Sequence, residues 1–201
     1  MSKLKGEITF GMNRIYLMFP ELGFSTTYLS VVNDLVIEQT ASDLAALQIP
    51  KFLTWRSRRF FQTLQPSTFN LPTFLYTAYD SPSFSHDVRG RVWEGATVTY
   101  VTMQLAFHMG ISEAILIGVD HNYETKGKPN TTVTSDGDDP NHFNPAYFGK
   151  GFRWQLPDLE TSEIAYRMAR RAYEQAGRRI LDATVGGKLT IFEKVDYNSL
   201  F

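Results

Sequence analysis

There is no cysteine among the 201 residues, which excludes disulfides, thiolate nucleophiles and Cys-ligated zinc. The same absence fits a reducing, cytoplasmic setting. No apolar run approaches the roughly 20 residues of a membrane-spanning helix. Lys3, Lys5 and Glu7 break up any apolar leader, so neither a span nor a signal peptide is expected. A basic surplus is also missing. Twenty Lys and Arg against 21 Asp and Glu leave a net charge of -1 and a pI of about 6.4, which argues against a nucleic-acid partner. Several motifs are absent as well. There is no GxxxxGK[ST] phosphate loop, no GxGxxG fingerprint, no HExxH zinc pair and no EF-hand loop, and no Ser-His-Asp spacing stands out.

What is present is apolar enough for one sizeable core: 43% of the residues are hydrophobic, and the length suggests a single domain over 1–201. EITFGM (7–12), TYLSVV (27–32) and KFLTW (51–55) read as strands, with TFLYTAY (73–79) as a further piece inside an otherwise loop-like 56–92. Residues 35–47 carry apolar positions at helical spacing, closed by Pro50. In 93–110, apolar residues at 98, 101, 105 and 109 share one helical face, and Gly110 ends it. ILIGVD (115–120) then reads as a strand. Residues 123–157 form a long polar loop with several aromatics, which suits a segment lying over an active site. Asp158 can cap a helix with Ala165, Met168, Ala169, Ala172, Tyr173 and Ala176 on one face. RRILDAT follows as a strand, and VGGKLTIF as a turn with a short final strand. Alternating strands and helices predict an α/β, Rossmann-like protein with a mostly parallel sheet flanked by helices.

In such sheets ligands lie beyond the carboxyl ends of the strands. Asn13, Asn33, Asp34, Asp120, His121 and Asn122 all fall at expected strand ends, and one shared crevice would gather them. Gly95, Ala96 and Thr97 open a helix, where free backbone N–H groups suit an anion and small side chains admit a phosphate; ordinary capping is the alternative. Asp120 can accept from a ribose or help to hold a cation, or simply cap its loop. Asp136, Asp138, Asp139 and His142 lie close in sequence, a cluster that suits magnesium or calcium, or a solvated acidic loop. His142 can serve as a general base or make a structural hydrogen bond. Arg56, Arg58 and Arg59 suit salt bridges or a phosphate clamp, and Trp154 and Phe143 suit core packing or stacking on a base.

The order TFGMNRIY, VVND, WEGATVTYVTMQLAFHMGISEAILIGVDHNY, NHF with YF soon after, and AYRMARRAYEQAGRRILDATVGGKL resembles the MptE-like family, named for an archaeal 6-hydroxymethylpterin diphosphokinase. It is similar also to the sialyltransferase-like domains of flagellin-modifying Maf glycosyltransferases and, more distantly, to bacterial sialyltransferases. The resemblance implies a nucleotide contact at Asn13 with Asn33 beside it. It implies a phosphate or donor carboxylate at Gly95, Ala96 and Thr97, and a nucleoside pocket at Gly118 and Asp120. It implies His142 as the base that activates the acceptor hydroxyl.

Chains of these families open with a strand and a Gly-Asn-Gly-Pro-Ser-like loop. Neither precedes the first strand here, so an incomplete sheet, an exposed edge and a homo-oligomer are expected. Asn122 stands where the sialyltransferases carry a tyrosine on the donor phosphate. The leading expectation is a nucleotide-sugar-binding glycosyltransferase-like protein, its ligand CMP-linked, needing no metal or other cofactor. The alternatives are a pterin diphosphokinase using Mg2+ held by Asp120, Asp138 and Asp139, and a non-catalytic binding module.

Overall fold

Short apolar runs bounded by turn residues fold here as parallel strands, and those over Tyr28–Val31 and Lys51–Thr54, within the larger sheet, are buried on both faces. Leu29, Ser30 and Val31 are fully buried, as strands covered by helices on either side require. The computed structural model describes residues 1–64, 71–124 and 127–201. In chain order the strands and helices are β1 (Phe10–Met12), α1 (Phe19–Leu22), β2 (Tyr28–Val31), α2 (Asp34–Ala46), β3 (Lys51–Thr54), β4 (Thr73–Ala78) and β5 (Arg91–Trp93). They continue with α3 (Val98–His108), β6 (Glu113–Leu116), β7 (Thr132–Thr134), β8 (Arg153–Gln155), α4 (Leu159–Gln175), β9 (Arg179–Asp182) and β10 (Glu193–Lys194). The protein is α/β and Rossmann-like. Five parallel strands run in the order β1-β2-β3-β4-β5, flanked by helices, and three more parallel strands run β10-β9-β6. Among the described residues β1 and β6 each pair on one side only.

Helix α3 holds the two sheets together. The sequence predicts one apolar face on it, yet every residue from Thr99 to Phe107 is buried. A helix covered all round sits inside a structure rather than on its surface. Val101 and Leu105 pack with Val32, Leu75 and Val92 of the larger sheet. Tyr100, Met103 and Phe107 pack with Leu116, Ile180 and the alanine-tyrosine face of α4. The polar groups of α3 are satisfied inside. Gln104 Nε2 donates to Trp93 O at 3.0 Å, its Oε1 accepts from Ser85 N at 2.9 Å, and the Tyr173 hydroxyl donates to Met103 O at 2.8 Å.

Three expectations need correction. The segment 56–92 is more ordered than a loop. It opens with a 3-10 helix over Trp55–Phe61 and closes with β5, whose three residues are too few to show a period; 65–70 lie outside the described residues. The long segment 123–157 contains an antiparallel hairpin, β7 with β8, apart from 125 and 126, which also lie outside the described residues. Its Tyr147, Phe148, Trp154 and Leu156 are buried against Val36, Ile37 and Leu44 of α2, so this segment is core as much as cover. Two hydrogen bonds of 2.8 Å tie Gln39 of α2 to the Arg153 backbone. The final strand lies at Glu193–Lys194, just beyond the expected VGGKLTIF.

Candidate functional site

Beyond the carboxyl ends of the strands lies one cavity of about 640 Å3. Met12 and Asn13 enter it from β1, Val32 and Asn33 from β2, Tyr79 from β4, Trp93 and Glu94 from β5, and Gly118 to Tyr123 from the segment after β6. Ala96, Thr97 and His142 line it too. The structure thus gathers Asn13, Asn33, Ala96, Thr97, Gly118, Asp120, His121, Asn122 and His142 around one space. Asp34 and Gly95 are not on its wall. Asp34 turns to Arg56, which donates from Nε to Oδ2 at 3.2 Å. Gly95 faces α4: a Cβ built there would come within 2.5 Å of the Ala165 Cβ and 2.8 Å of the Tyr100 ring. Its missing side chain serves helix packing, where the sequence suggested phosphate access.

Backbone strain concentrates at this cavity. Five non-glycine residues among those described have a left-handed backbone. Four of them, Asn13 (φ 49°), Ala96 (φ 59°), His121 (φ 53°) and Asn130 (φ 63°), line the cavity, and only Ser81 lies elsewhere. Such conformations cost on the order of 1–3 kcal/mol each and persist where the surroundings enforce them, typically at ligand sites. Asn13 shows the enforcement. Its N–H donates to Ser30 O at 3.0 Å, and the next N–H, of Arg14, donates to the Tyr147 hydroxyl at 3.3 Å. Asn13 Oδ1 is buried without a hydrogen-bond partner, an acceptor still awaiting a donor.

Three helices point their amino ends at the same space. Asn33 caps α2, its Oδ1 accepting from Leu35 N at 2.9 Å and Val36 N at 3.3 Å. Thr97 caps α3, its Oγ1 accepting from Thr99 N at 3.2 Å. Asp158 caps α4, its Oδ1 accepting from Thr161 N at 3.0 Å. All three caps line the cavity, as do Val36, Thr99 and Ser162 within the first turns. Among the described lining residues there is no Lys or Arg. The positive charge on this wall is that of the backbone, roughly half an elementary charge per helix start, and it faces the acidic side chains of Glu94, Asp120 and Asp158 on the same wall.

His142 is held as a base is held. Its Nδ1 lies 2.8 Å from Asp139 Oδ2, and its ring stacks on Tyr147 with centroids 4.0 Å apart and planes 9° from parallel. Asp139 is buried, and its carboxylate also accepts from Asn141 N at 2.8 Å and Phe148 N at 3.0 Å. Burial outweighs the pull of Asp139 and holds the imidazole below its ordinary pKa of 6.5. A neutral ring that donates Nδ1–H to Asp139 carries its lone pair on Nε2. Asp139 is thereby spent on orienting His142, while Asp138 is exposed. Among the described residues no group of three or more His, Asp or Glu is placed to hold a metal ion, so Asp120, Asp138 and Asp139 are not gathered into one.

Salt bridges were expected for Arg56 and are present, but sequence reasoning missed Tyr79 and Glu94 as part of the cavity wall. Arg56 Nη2 donates to Glu94 Oε1 at 2.7 Å and to the Tyr79 hydroxyl at 2.8 Å, and its Nη1 donates to Thr77 O at 3.0 Å. The Thr77 hydroxyl donates to Glu94 Oε1 at 2.5 Å. Burial raises the Glu94 carboxyl above its ordinary value in spite of these donors. The partners of Arg56 lie 38 and 23 residues away, so no local pattern announces them. The neighbouring arginines are spent elsewhere, Arg58 over the Trp55 ring at 4.2 Å and Arg59 over Phe60 at 4.8 Å. Trp154 is buried in the core, whereas Phe143 is exposed. His121 meets Glu163 of α4 at 3.2 Å, an anchor equally invisible in the sequence.

No helix among the described residues is long and apolar enough to cross a membrane. Compared with protein-family models, with curated proteins and with solved structures, the chain matches none.

Proposed function

We propose that this protein is an MptE-like, sialyltransferase-like transferase that binds a nucleotide-activated sugar, CMP-linked, and moves the sugar by direct displacement. The observation that carries the reading is the convergence of three helix starts on a cavity with no Lys or Arg among its described lining residues. Helix starts take phosphate through backbone N–H groups and the dipole, with no side-chain cation required. Asp120 and Asn122, beyond β6, offer an acceptor and a donor to a ribose.

The displacement needs a base and a stabilised leaving group. His142 Nε2 takes the proton of the acceptor hydroxyl as that oxygen bonds to the anomeric carbon. The bond from that carbon to the nucleotide phosphate breaks in the same step, and the start of α3 takes up the charge on the departing nucleotide. Asp139 keeps Nε2 basic by occupying Nδ1–H. The scheme uses no metal or cofactor. The absence of cysteine is the basis for placing the protein in a reducing cytoplasm.

Calorimetric titration with CMP and with ATP, each with and without magnesium, tests the reading. CMP binding that is independent of metal is the expected result. ATP binding that requires magnesium would transfer the assignment to a pterin diphosphokinase. Silence toward both would leave a non-catalytic module. With a CMP-linked donor, His142→Ala should abolish most turnover and leave CMP affinity within about twofold; equal loss of both would remove His142 from the role of base.

A further inference from the structure

Tyr79 is 66% exposed although it lines the cavity. An exposed tyrosine ordinarily samples several rotamers, but this one is braced. The guanidinium carbon of Arg56 lies 4.4 Å from the ring centroid, and Arg56 also donates to the Tyr79 hydroxyl at 2.8 Å. Arg56 is itself fixed by Glu94, Asp34 and the Thr77 carbonyl. The backbone is tied on both sides, since Trp93 Nε1 donates to Tyr79 O at 3.0 Å and Glu94 N donates to Ala78 O at 2.9 Å. The ring is therefore preorganised, and a ligand stacking on it has little ordering entropy left to lose.

We infer that Tyr79, backed by Arg56, is a stacking platform for a nucleobase, and that Glu94 beside it accepts a hydrogen bond from the amino group of that base. Stacking of a base on an aromatic side chain contributes about 1–3 kcal/mol, which is roughly a 5- to 150-fold change in Kd. Glu94 supplies the edge contact. It is only 5% exposed, lines the cavity, and receives both the Arg56 and Thr77 donors on Oε1, so Oε2 keeps its capacity to accept. A carboxylate acceptor suits the amino group of cytosine or adenine and repels the carbonyl that uracil presents in its place. The subsite rests on the nucleotide reading of the same cavity and extends it to the class of base.

The experiment is titration of the whole chain with CMP, UMP and ribose 5-phosphate, using the unsubstituted protein, Tyr79→Ala and Tyr79→Phe. The expected result is CMP tighter than ribose 5-phosphate by about tenfold or more. Tyr79→Ala should erase that margin and Tyr79→Phe should keep most of it. UMP should bind more weakly than CMP. Equal affinities for CMP and ribose 5-phosphate in the unsubstituted protein would overturn the base subsite while leaving phosphate binding in place. So would undiminished CMP affinity in Tyr79→Ala. The unsubstituted comparison decides the matter even if Tyr79→Ala fails to fold. Failure of the unsubstituted protein to bind any of the three would overturn the nucleotide reading and this subsite together.

Discussion

Replacing Asp139 with Asn removes a charge from beside His142 without changing the shape of the side chain. The carboxylate accepts three hydrogen bonds, two at Oδ2 from Phe148 N and His142 Nδ1 and one at Oδ1 from Asn141 N. A carboxamide has one oxygen, so it can keep the first two only by turning its own N–H2 toward Asn141 N–H. One bond to a charged acceptor is then lost and two become neutral. At about 1.5–3 kcal/mol for a charged bond and about 1 for a neutral one, offset by relief of a desolvated charge, the net loss is about 2–4 kcal/mol. In a urea titration at pH 8 the midpoint should fall by about 1 M.

A second readout separates holding the ring from mere bulk. Asp139 raises the affinity of His142 for its proton, so in Asp139→Asn the ring should titrate at lower pH by NMR than in the parent. The sign of the pH dependence is fixed by the same group. The folded pKa of His142 lies below the unfolded value, so folding favours the neutral ring. That contribution to stability is complete above pH 6.5 and is lost as the pH falls through the folded pKa. An unchanged urea midpoint, or a His142 pKa that rises in Asp139→Asn, would refute the argument that Asp139 holds the ring.

Gly95→Ala combines a left-handed backbone (φ 55°) with contacts of 2.5 and 2.8 Å against Ala165 and Tyr100, so a loss of about 2–4 kcal/mol is expected by thermal or urea unfolding. Lys194→Met leaves the fully buried Asp182 carboxylate without the ammonium now 2.6 Å away, and should cost about 2 kcal/mol, with Lys194→Arg costing less.

The parts of the fold legible in the sequence are those whose cause is local. TYLSVV and KFLTW are apolar runs between turn residues, and the α4 stripe repeats at three and four residues, so each announces itself within a few positions. Asp158 and Gly177 mark the two ends of α4 for the same reason. What escaped depends on pairing across the chain. The strands of the β7–β8 hairpin stand 18 residues apart, with Thr134 opposite Arg153, and neither is long enough to show alternation. The all-round burial of α3 follows from having a sheet on either side, which its own composition does not state. At the site, strand ends and the helix start at Thr97 were readable because polar residues follow apolar runs. Asp139 stands three residues before His142, a local spacing that could have marked it as the partner of the ring instead of a metal ligand. The brace of Arg56, Tyr79 and Glu94 had no such signal, because only the folded sheet brings β4, β5 and the 3-10 helix after β3 together.

The division of the strands into two sheets carries a consequence for how the protein meets its ligand. Asn13, Asn33 and Tyr79 belong to the five-stranded sheet, and Asp120, His121 and Asn122 follow β6 of the three-stranded one. A molecule that touches both groups acts as a strap between them, adding a connection where no described strand pairing exists. Occupancy then tightens the whole body as well as the pocket. Hydrogen exchange at β1 and β6, one edge strand of each parallel sheet, should slow together when the cavity fills.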